Sequence, residues 1–307
     1  MQTAFSYQSC NFCPRHCGVN RSRQSGYCKS PDHAVAARAA LHLWEEPCIS
    51  GIHGSGTVFF SGCTLRCCFC QNYRISSEGF GAAISDQQLS EIFLNLQKQG
   101  AHNLNLVTAT QYLPSVLSAL AAVQDKLTIP VVYNCGGYET PETLDALAPF
   151  VDIWLPDLKY QDPQRAARYS GAADYFQSAS AAVRKMIELA GPPLYEDFEE
   201  NGNHCQLMKR GVILRHMILP GQREDSIRLL HWIHDELPKG GYLISLLSQY
   251  TPFYRSSEYP EINRRITSYE YNKVLNTAIK LGLTEGFMQE KSSAKEEYTP
   301  PFELEGL

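Results

Sequence analysis

The stretch GTVFFSGCTLRCCFCQNY (residues 56–73) joins an apolar run to four closely spaced cysteines. Its β-branched and aromatic part, TVFFSG, predicts a short buried strand. Cys63, Cys67 and Cys70 follow with the spacing C-x3-C-x2-C, and Cys68 lies between two of them. Structural zinc usually takes four protein ligands, and iron–sulfur clusters are usually held by four thiolates. Three thiols on one loop therefore leave one metal position open for a non-protein ligand.

The bulk composition narrows the class of protein. The chain has 307 residues, enough for one large α/β domain with an appendage or for two medium domains. The net charge of −5 argues against general nucleic-acid binding, which needs clustered Lys and Arg. No run of 18 apolar residues and no secretory signal is found, so we expect neither a membrane span nor export. Eleven cysteines in such a chain indicate metal binding or catalysis in a reducing, cytoplasmic setting rather than disulfides.

The remainder of the chain alternates between apolar runs and amphipathic stretches. Such alternation predicts parallel strands joined by right-handed helical crossovers. One helix should begin at Ser85 or Asp86, another at Thr140, and residues 191–207 are interpreted as a polar loop. Six strands are predicted, near residues 57–62, 104–109, 129–137, 151–160, 211–221 and 242–250.

The carboxyl ends of these strands carry polar or thiol side chains. In parallel α/β folds the reacting groups collect at that edge of the sheet, so these side chains should converge on one opening. In strand order they are Cys63; Thr108, Thr110 and Gln111; Asn134, Cys135, Gly136 and Gly137; Asp157 and Lys159; Arg215 and His216; and Ser248, Gln249 and Tyr250.

The three-cysteine motif, with an aromatic residue just before its last cysteine, resembles the signature of the radical S-adenosylmethionine (SAM) superfamily. Its context, including CNFCPRHCGVNR and WEEPCISG upstream, is similar to the branch of pyruvate formate-lyase activating enzymes. The resemblance covers nearly the whole chain. It implies an α/β fold, a partial (β/α)6 barrel with a small Cys-rich N-terminal extension. It also implies a 4Fe-4S cluster on Cys63, Cys67 and Cys70, with its open iron chelated by SAM.

What the resemblance implies for function is radical chemistry. An electron from the reduced cluster would cleave SAM to methionine and a 5′-deoxyadenosyl radical, which would abstract a substrate hydrogen. The first hypothesis is an activase that takes this hydrogen from a glycyl radical enzyme, with an electron donor such as flavodoxin or ferredoxin. The second is a radical enzyme acting on a small molecule or a peptide. The third is a non-catalytic zinc-binding interaction protein.

The same resemblance suggests the residues that hold SAM. Phe69 stands where the family places an aromatic residue next to the adenine. The run after the second strand departs from the family's G-G-E-P-like pattern, so Thr108, Thr110 and Gln111 would replace that contact to the methionine amino group. Asn134 and Gly136 would lie near the ribose and carboxylate, since Asn bonds hydroxyls in both directions and Gly allows close approach.

Two pairs of neighbouring residues complete the expected SAM site. Asp157 and Lys159 resemble the D-x-K motif of the activating enzymes, and strand alternation puts them on one face. Arg215 and His216 must point to opposite faces. The resemblance favours His216 as the residue facing the cofactor, with Arg215 as the alternative.

The first fifty-odd residues form a distinct, cysteine-rich segment. Its four thiols would bind a second iron–sulfur cluster or a structural zinc, or remain unliganded; they are Cys10, Cys13, Cys17 and Cys28. A segment with so little apolar core usually needs a bound metal or a similar cross-link to be stable. Cys68 is expected to be a packed thiol, and Cys48, Cys135 and Cys205 ordinary thiols. We divide the chain into a metal-binding cap (1–55), the barrel (56–290) and an extended tail (291–307).

Overall fold

The structure, a computed structural model, describes residues 5–289 and 300–307. Within these ranges ten strands hydrogen-bond in one sheet, in the order β10-β9-β8-β6-β5-β4-β2-β1-β3, with β7 paired to β8 outside that order. The strands are β1 (Ala34–His42), β2 (Ser55–Phe60), β3 (Ala82–Ile84), β4 (Leu104–Val107), β5 (Val131–Cys135), β6 (Ile153–Pro156), β7 (Leu194–Glu200), β8 (Asn203–Met217), β9 (Leu243–Leu247) and β10 (Gly286–Met288).

The centre of the sheet is parallel. β2, β4, β5, β6, β8 and β9 pair in parallel, and they are the six strands that the sequence predicts. β10 continues the parallel run on one side, whereas β1 and β3 pair antiparallel on the other. The order ends at β3 and at β10, so the sheet is open. The predicted partial (β/α)6 barrel is confirmed.

Helices connect the parallel strands. In the described part of the chain they are α1 (Pro47–Ser50), α2 (Tyr73–Ser76), α3 (Asp86–Lys98), α4 (Leu113–Val123), α5 (Pro141–Leu147), α6 (Pro163–Ser170), α7 (Tyr175–Ala190), α8 (Arg223–Glu236) and α9 (Ser268–Lys280). Ser85 begins α3 with a reciprocal capping box to Gln88, and Thr140 caps α5 with Pro141 in its first turn. None of these helices has the length and apolarity needed to cross a membrane.

The interpretation of residues 191–207 as a polar loop is wrong. β7 and the first part of β8 form an antiparallel hairpin that turns at Asn201 and Gly202, both with positive φ. Asn-Gly is a strong hairpin signal because both residues tolerate that backbone conformation. Most side chains of β7 are exposed, so the apolar alternation that normally reveals a strand is missing.

The C-terminal residues lie against β1 and β2, beside one edge of the sheet. β1 belongs to the predicted cap and pairs along β2, most of which belongs to the predicted barrel, so one sheet spans the predicted boundary at residue 55. The three-part division stays a prediction. The first half of the predicted extended tail, up to residue 299, lies outside the described residues. Beyond it, Glu305 pairs with Arg38 at 2.7 Å, and Phe302 is buried against Phe59.

The two faces of the sheet are covered differently. Tyr133 and Trp154 belong to the main core shared with the helices. On the opposite, concave face, strand residues such as Ile153 and Ile213 pack against Cys48 and Ile49 of α1. The short connection between β1 and β2 therefore fills the inside of the barrel, and it brings the residues just before α1 to the floor of the remaining space.

Candidate functional site

The cysteine loop begins directly after β2. Each of its three predicted ligands receives a hydrogen bond. Cys63 Sγ accepts from two backbone N–H groups of its own loop at 3.3 and 3.5 Å. Ser170 Oγ donates to Cys67 Sγ at 2.9 Å, and Ser76 Oγ donates to Cys70 Sγ at 3.3 Å. Donors aimed at sulfur favour its negatively charged form, which is the form that binds metal.

These three thiols are the donor type that an iron–sulfur cluster takes. Across residues 5–289 and 300–307, no three His, Cys, Asp or Glu side chains are arranged around one ion position. Burial raises the pKa of Cys63 to about 12 and that of Cys70 to about 11, so a bound metal is needed to ionise them at neutral pH.

Cys68 is held differently from its neighbours. Its backbone N–H donates to Tyr169 O at 2.8 Å, and its carbonyl accepts from Arg255 N at 2.9 Å. The side chain is 5% exposed and belongs to the main core. This environment agrees with a packed thiol, and the assignment of the ligands stays a prediction.

A cavity of about 270 Å³ lies beside the cysteine loop. Phe69 forms part of its wall and makes edge-to-face contacts with Tyr169 and Tyr250, at 6.5 and 5.9 Å between ring centroids. Asn134, Asp157 and Lys159, three of the predicted SAM-binding residues, also line it. The strand ends thus converge on one opening, as the parallel topology requires.

Asp157 and Lys159 lie on the same face, as the alternation predicts. Lys159 Nζ is 2.6 Å from Asp157 Oδ2. Burial alone would raise the pKa of Asp157, but Arg215 and Lys159 outweigh it and hold that pKa below its usual range. Burial opposes the charge of Lys159, yet Asp157 and the nearby Cys67 raise its pKa. The ammonium group therefore stands charged next to the cysteine loop.

Arg215 is the centre of a buried polar network. Its Nε donates to Asp157 Oδ1 at 2.9 Å, and its Nη1 donates to Glu45 Oε2 at 3.1 Å. Its Nη2 donates to Asn134 Oδ1. Asn134 and Asn105 each donate to Glu45 Oε1 at 3.1 Å. Burial raises the pKa of Glu45, and the guanidinium of Arg215 opposes that shift.

The structure places Arg215, and not His216, at the cavity. His216 lies behind the sheet, where its Nδ1 is 2.7 Å from Leu158 O and its Nε2 is 2.8 Å from Ser226 Oγ. Burial lowers its pKa, so the ring is neutral. The two residues do face opposite ways, but the register of β8 turns the arginine inward. His216 does not line this cavity, and its expected contact with the cofactor stays a prediction.

The residues after β4 support the site from behind. Gln111 Nε2 donates to the carbonyls of Ser61, Gly62 and Thr108, at 2.9, 3.1 and 2.6 Å. This amide thus fastens the start of the cysteine loop to the end of β4. Thr110 Oγ1 donates to Glu139 Oε1 at 3.0 Å. Thr108, Thr110 and Gln111 do not line the cavity, so a direct contact to the methionine amino group is not what their placement favours.

The glycines after β5 allow close packing rather than opening onto the cavity. A Cβ at Gly136 would come within 2.9 Å of Leu65 Cδ1 of the cysteine loop. Gly137 has φ +75°, and a Cβ there would meet Asp157 O at 2.4 Å. Both positions therefore require glycine for the cysteine loop and the end of β6 to approach β5.

Two acidic residues at the cavity were missed in the sequence. Glu45 and Glu46 precede α1 and line the floor, where burial raises the pKa of both carboxyl groups. They belong to the WEEP run, which precedes the apolar residues Cys48 and Ile49. Adjacent acids directly before a buried helix are the signal that could have identified them, because unpaired charges seldom enter a core without a role.

The N-terminal cysteines are only partly brought together. Cys10 and Cys28 both accept a hydrogen bond from Arg21 Nη2, at 2.9 and 3.6 Å. The pKa of Cys13 is raised mainly by burial and further by nearby acidic groups, which include Cys10 and Cys28. Cys17 Sγ instead accepts from Tyr27 N at 3.5 Å. Two thiols thus contact a buried guanidinium, and a four-thiol metal site stays a prediction.

Known proteins resemble the chain in sequence and in fold. The profile of the radical SAM superfamily matches residues 57–233. An uncharacterized protein of Methanocaldococcus jannaschii is 30% identical over 287 residues, which cover 90% of this chain and 76% of that protein. Streptococcus suis SuiB bound to S-adenosylmethionine has a TM-score of 0.50 and 13% identity, and the match covers 74% of this chain and 48% of SuiB. The chain thus spans about half the length of SuiB, and the similarity shows the fold alone.

The superfamily profile covers more than half of the chain. The matched segment starts in β2, includes the whole cysteine loop and the strands from β4 to β8, and ends in α8. The donor set of the loop fits the cluster that this family uses. The chain therefore belongs to the radical SAM superfamily.

Proposed function

We propose that this protein cleaves SAM reductively at the cavity beside the cysteine loop and uses the product to abstract a hydrogen atom from a substrate. Cys63, Cys67 and Cys70 would hold the 4Fe-4S cluster. Bound together, cluster and SAM would supply a 5′-deoxyadenosyl radical. The observation that carries the proposal is that the three hydrogen-bonded thiols adjoin a cavity lined by Phe69 and Lys159.

The residues of the cavity would position SAM. Phe69 offers an aromatic surface to the adenine ring, and Lys159 offers an ammonium group to the methionine carboxylate. Asp157 and Arg215 hold Lys159 in place through their ion pairs. Because both cations are buried in these pairs, they stand ready before SAM binds, which lowers the cost of ordering the site.

The proposal can be tested by electron paramagnetic resonance of the anaerobically reconstituted, dithionite-reduced protein. Addition of SAM should change the cluster signal in the wild type, because SAM would bind the open iron. Cys67→Ala should give no cluster signal that responds to SAM. A cluster signal in the wild type that does not respond to SAM would refute the proposal.

As the finer role we propose an activase for a glycyl radical enzyme. The similarity of the cysteine segment to activating enzymes supports it, and so does the open sheet, which leaves an unclosed side for a loop of another protein. Incubation with candidate glycyl radical enzymes, SAM and reduced flavodoxin or ferredoxin should produce a glycyl radical doublet. Turnover of SAM without that doublet for any candidate would contradict this role.

The second candidate is a radical enzyme that modifies a small molecule or a peptide. The polar floor of the cavity favours it, because buried carboxylates recognise specific polar groups of a ligand that enters deeply. Hydrogen abstraction from such a ligand would transfer deuterium from a labelled substrate into 5′-deoxyadenosine. Absence of that transfer, with a glycyl radical formed instead, would decide for the activase.

The remaining assignments complete the proposal. Cys10, Cys13, Cys17 and Cys28 would hold a second iron–sulfur cluster or a zinc ion, and iron, sulfide and zinc contents per chain distinguish the two. None of the eleven cysteines forms a disulfide, as expected of the reducing, cytoplasmic location that we propose. The cap (1–55), the barrel (56–290) and the tail (291–307) would act as one functional unit.

A further inference from the structure

Glu46 occupies an unusual position at the cavity floor. The residue is 7% exposed and lines the cavity, next to Ser245, which is 1% exposed. Among the described residues, neither Glu46 Oε2 nor Ser245 Oγ has a partner at hydrogen-bond geometry, although Ser245 is near enough to lower the pKa of the Glu46 carboxyl group. Two buried polar atoms with unused hydrogen-bonding capacity thus adjoin the same cavity, although buried polar groups almost always have a hydrogen-bond partner.

The charges around the cavity do not balance. Glu45, Glu46 and Asp157 supply three carboxylates, while Lys159 and Arg215 supply two cations. Lys159 is paired with Asp157, and Arg215 is shared by Asp157 and Glu45. Within the described residues no ion pair joins Glu46 to either cation, so Glu46 is the one carboxyl group of the cavity wall without a direct partner of opposite charge.

An excess carboxylate in this place needs a partner from outside the chain. Burial without a counter-charge disfavours ionisation strongly, and an incoming cation removes that penalty. We propose that Glu46, together with the Ser245 hydroxyl, binds a cationic nitrogen of the substrate, an ammonium or a guanidinium group. This inference rests on the proposed function, since it assigns part of the same cavity to the substrate.

The position of Glu46 favours the substrate over SAM as the source of that cation. The cysteine loop, where the family places SAM, follows β2. Ser245, the neighbour of Glu46, lies in β9, at the opposite end of the parallel run β2-β4-β5-β6-β8-β9. The carboxyl group of Glu46 thus stands beside β9, whereas the cysteine loop follows β2.

The test uses n-butylammonium as the cationic probe and n-butanol as its neutral counterpart. Both are titrated calorimetrically, under anaerobic conditions, into the oxidised cluster-loaded protein with and without SAM. The variant is Glu46→Gln, which keeps the size and shape of the side chain. It should fold, because loss of an unpaired buried charge does not destabilise a protein; the urea midpoint checks this.

The expected result is that n-butylammonium binds the wild type about 10- to 100-fold more tightly than Glu46→Gln, as loss of a charged hydrogen bond predicts. n-Butanol should not distinguish the two proteins, and the affinity for SAM should be equal. Equal affinity of both proteins for n-butylammonium, without SAM as well as with it, would overturn the inference.

A second outcome would overturn it in another way. If Glu46→Gln loses affinity for SAM and the wild type shows no selectivity for n-butylammonium, the carboxylate serves the cation of SAM itself. Failure of the wild type to bind SAM at all would count against the proposed function, while the SAM-free titration would still decide whether Glu46 selects a cation. The two failures are therefore distinguishable.

Discussion

Replacement of Arg215 by methionine tests the buried polar network most severely. Methionine keeps much of the side-chain volume but removes the charge, so Glu45 and Asp157 lose their shared partner. The side chains of Arg215 and Glu45 are only 15% and 9% exposed. Loss of one partner from a buried pair usually costs about 3–5 kcal/mol, because the other charge is left uncompensated. We expect Arg215→Met to lower the free energy of unfolding by about that amount at pH 8.

The same variant should show a characteristic pH dependence. Burial raises the pKa of Glu45 above its model-compound value of 4.5, and Arg215 opposes that rise. A carboxyl group whose pKa is higher in the folded than in the unfolded state destabilises the protein when the pH is above its unfolded pKa. Protonation of the group at lower pH removes this destabilisation. Without Arg215, acidification from pH 8 towards about 5 should therefore restore part of the stability. Asp157, whose folded pKa is lowered, stabilises the wild type above its unfolded pKa and loses that effect only as the pH falls below about 4.

Anaerobic urea unfolding followed by circular dichroism measures both effects. Arg255→Met is the matched control, because Arg255 pairs with Glu258 at 2.6 Å but both side chains are half exposed. That variant should change stability little, since exposed pairs contribute little. If the two variants lose equal stability, or if the difference between wild type and Arg215→Met does not shrink on acidification, the reasoning about the network is refuted.

Three further predictions concern the cysteine loop and the cavity wall. Cys67→Ser should lose the iron of one 4Fe-4S cluster after anaerobic reconstitution, while Cys68→Ser should retain wild-type iron; equal losses would refute the ligand assignment. Gln111→Leu removes the donor for three carbonyls at the start of the loop, so the cluster absorbance should decay several-fold faster in air; unchanged decay would contradict this. Phe69→Leu should weaken SAM binding about 3- to 10-fold in equilibrium dialysis, and unchanged affinity would exclude adenine stacking.

Much of the fold could be predicted because two patterns agree. The apolar runs of the six parallel strands are separated by capped amphipathic helices, and both signals are local in sequence. The hairpin of β7 and β8 was missed because its exposed faces carry no apolar alternation. β3 and β10 have three residues each, too short for any periodicity to register.

The candidate site could be predicted only where the chemistry is local. The spacing of Cys63, Cys67 and Cys70 lies within eight residues and needs no tertiary information. The choice between Arg215 and His216 depends on register, and a parallel strand that is apolar on both faces does not reveal it. Glu46 reaches the cavity only because the connection before α1 folds into the barrel, which no local pattern encodes.

Formation of 5′-deoxyadenosine tests the central claim most directly. The anaerobically reconstituted protein is mixed with dithionite and SAM, and the products are separated and quantified by mass spectrometry. We predict 5′-deoxyadenosine and methionine in equal amounts from the wild type and from Cys68→Ala, and none from Cys67→Ala. A wild-type protein with a complete 4Fe-4S cluster that produces no 5′-deoxyadenosine would contradict the account.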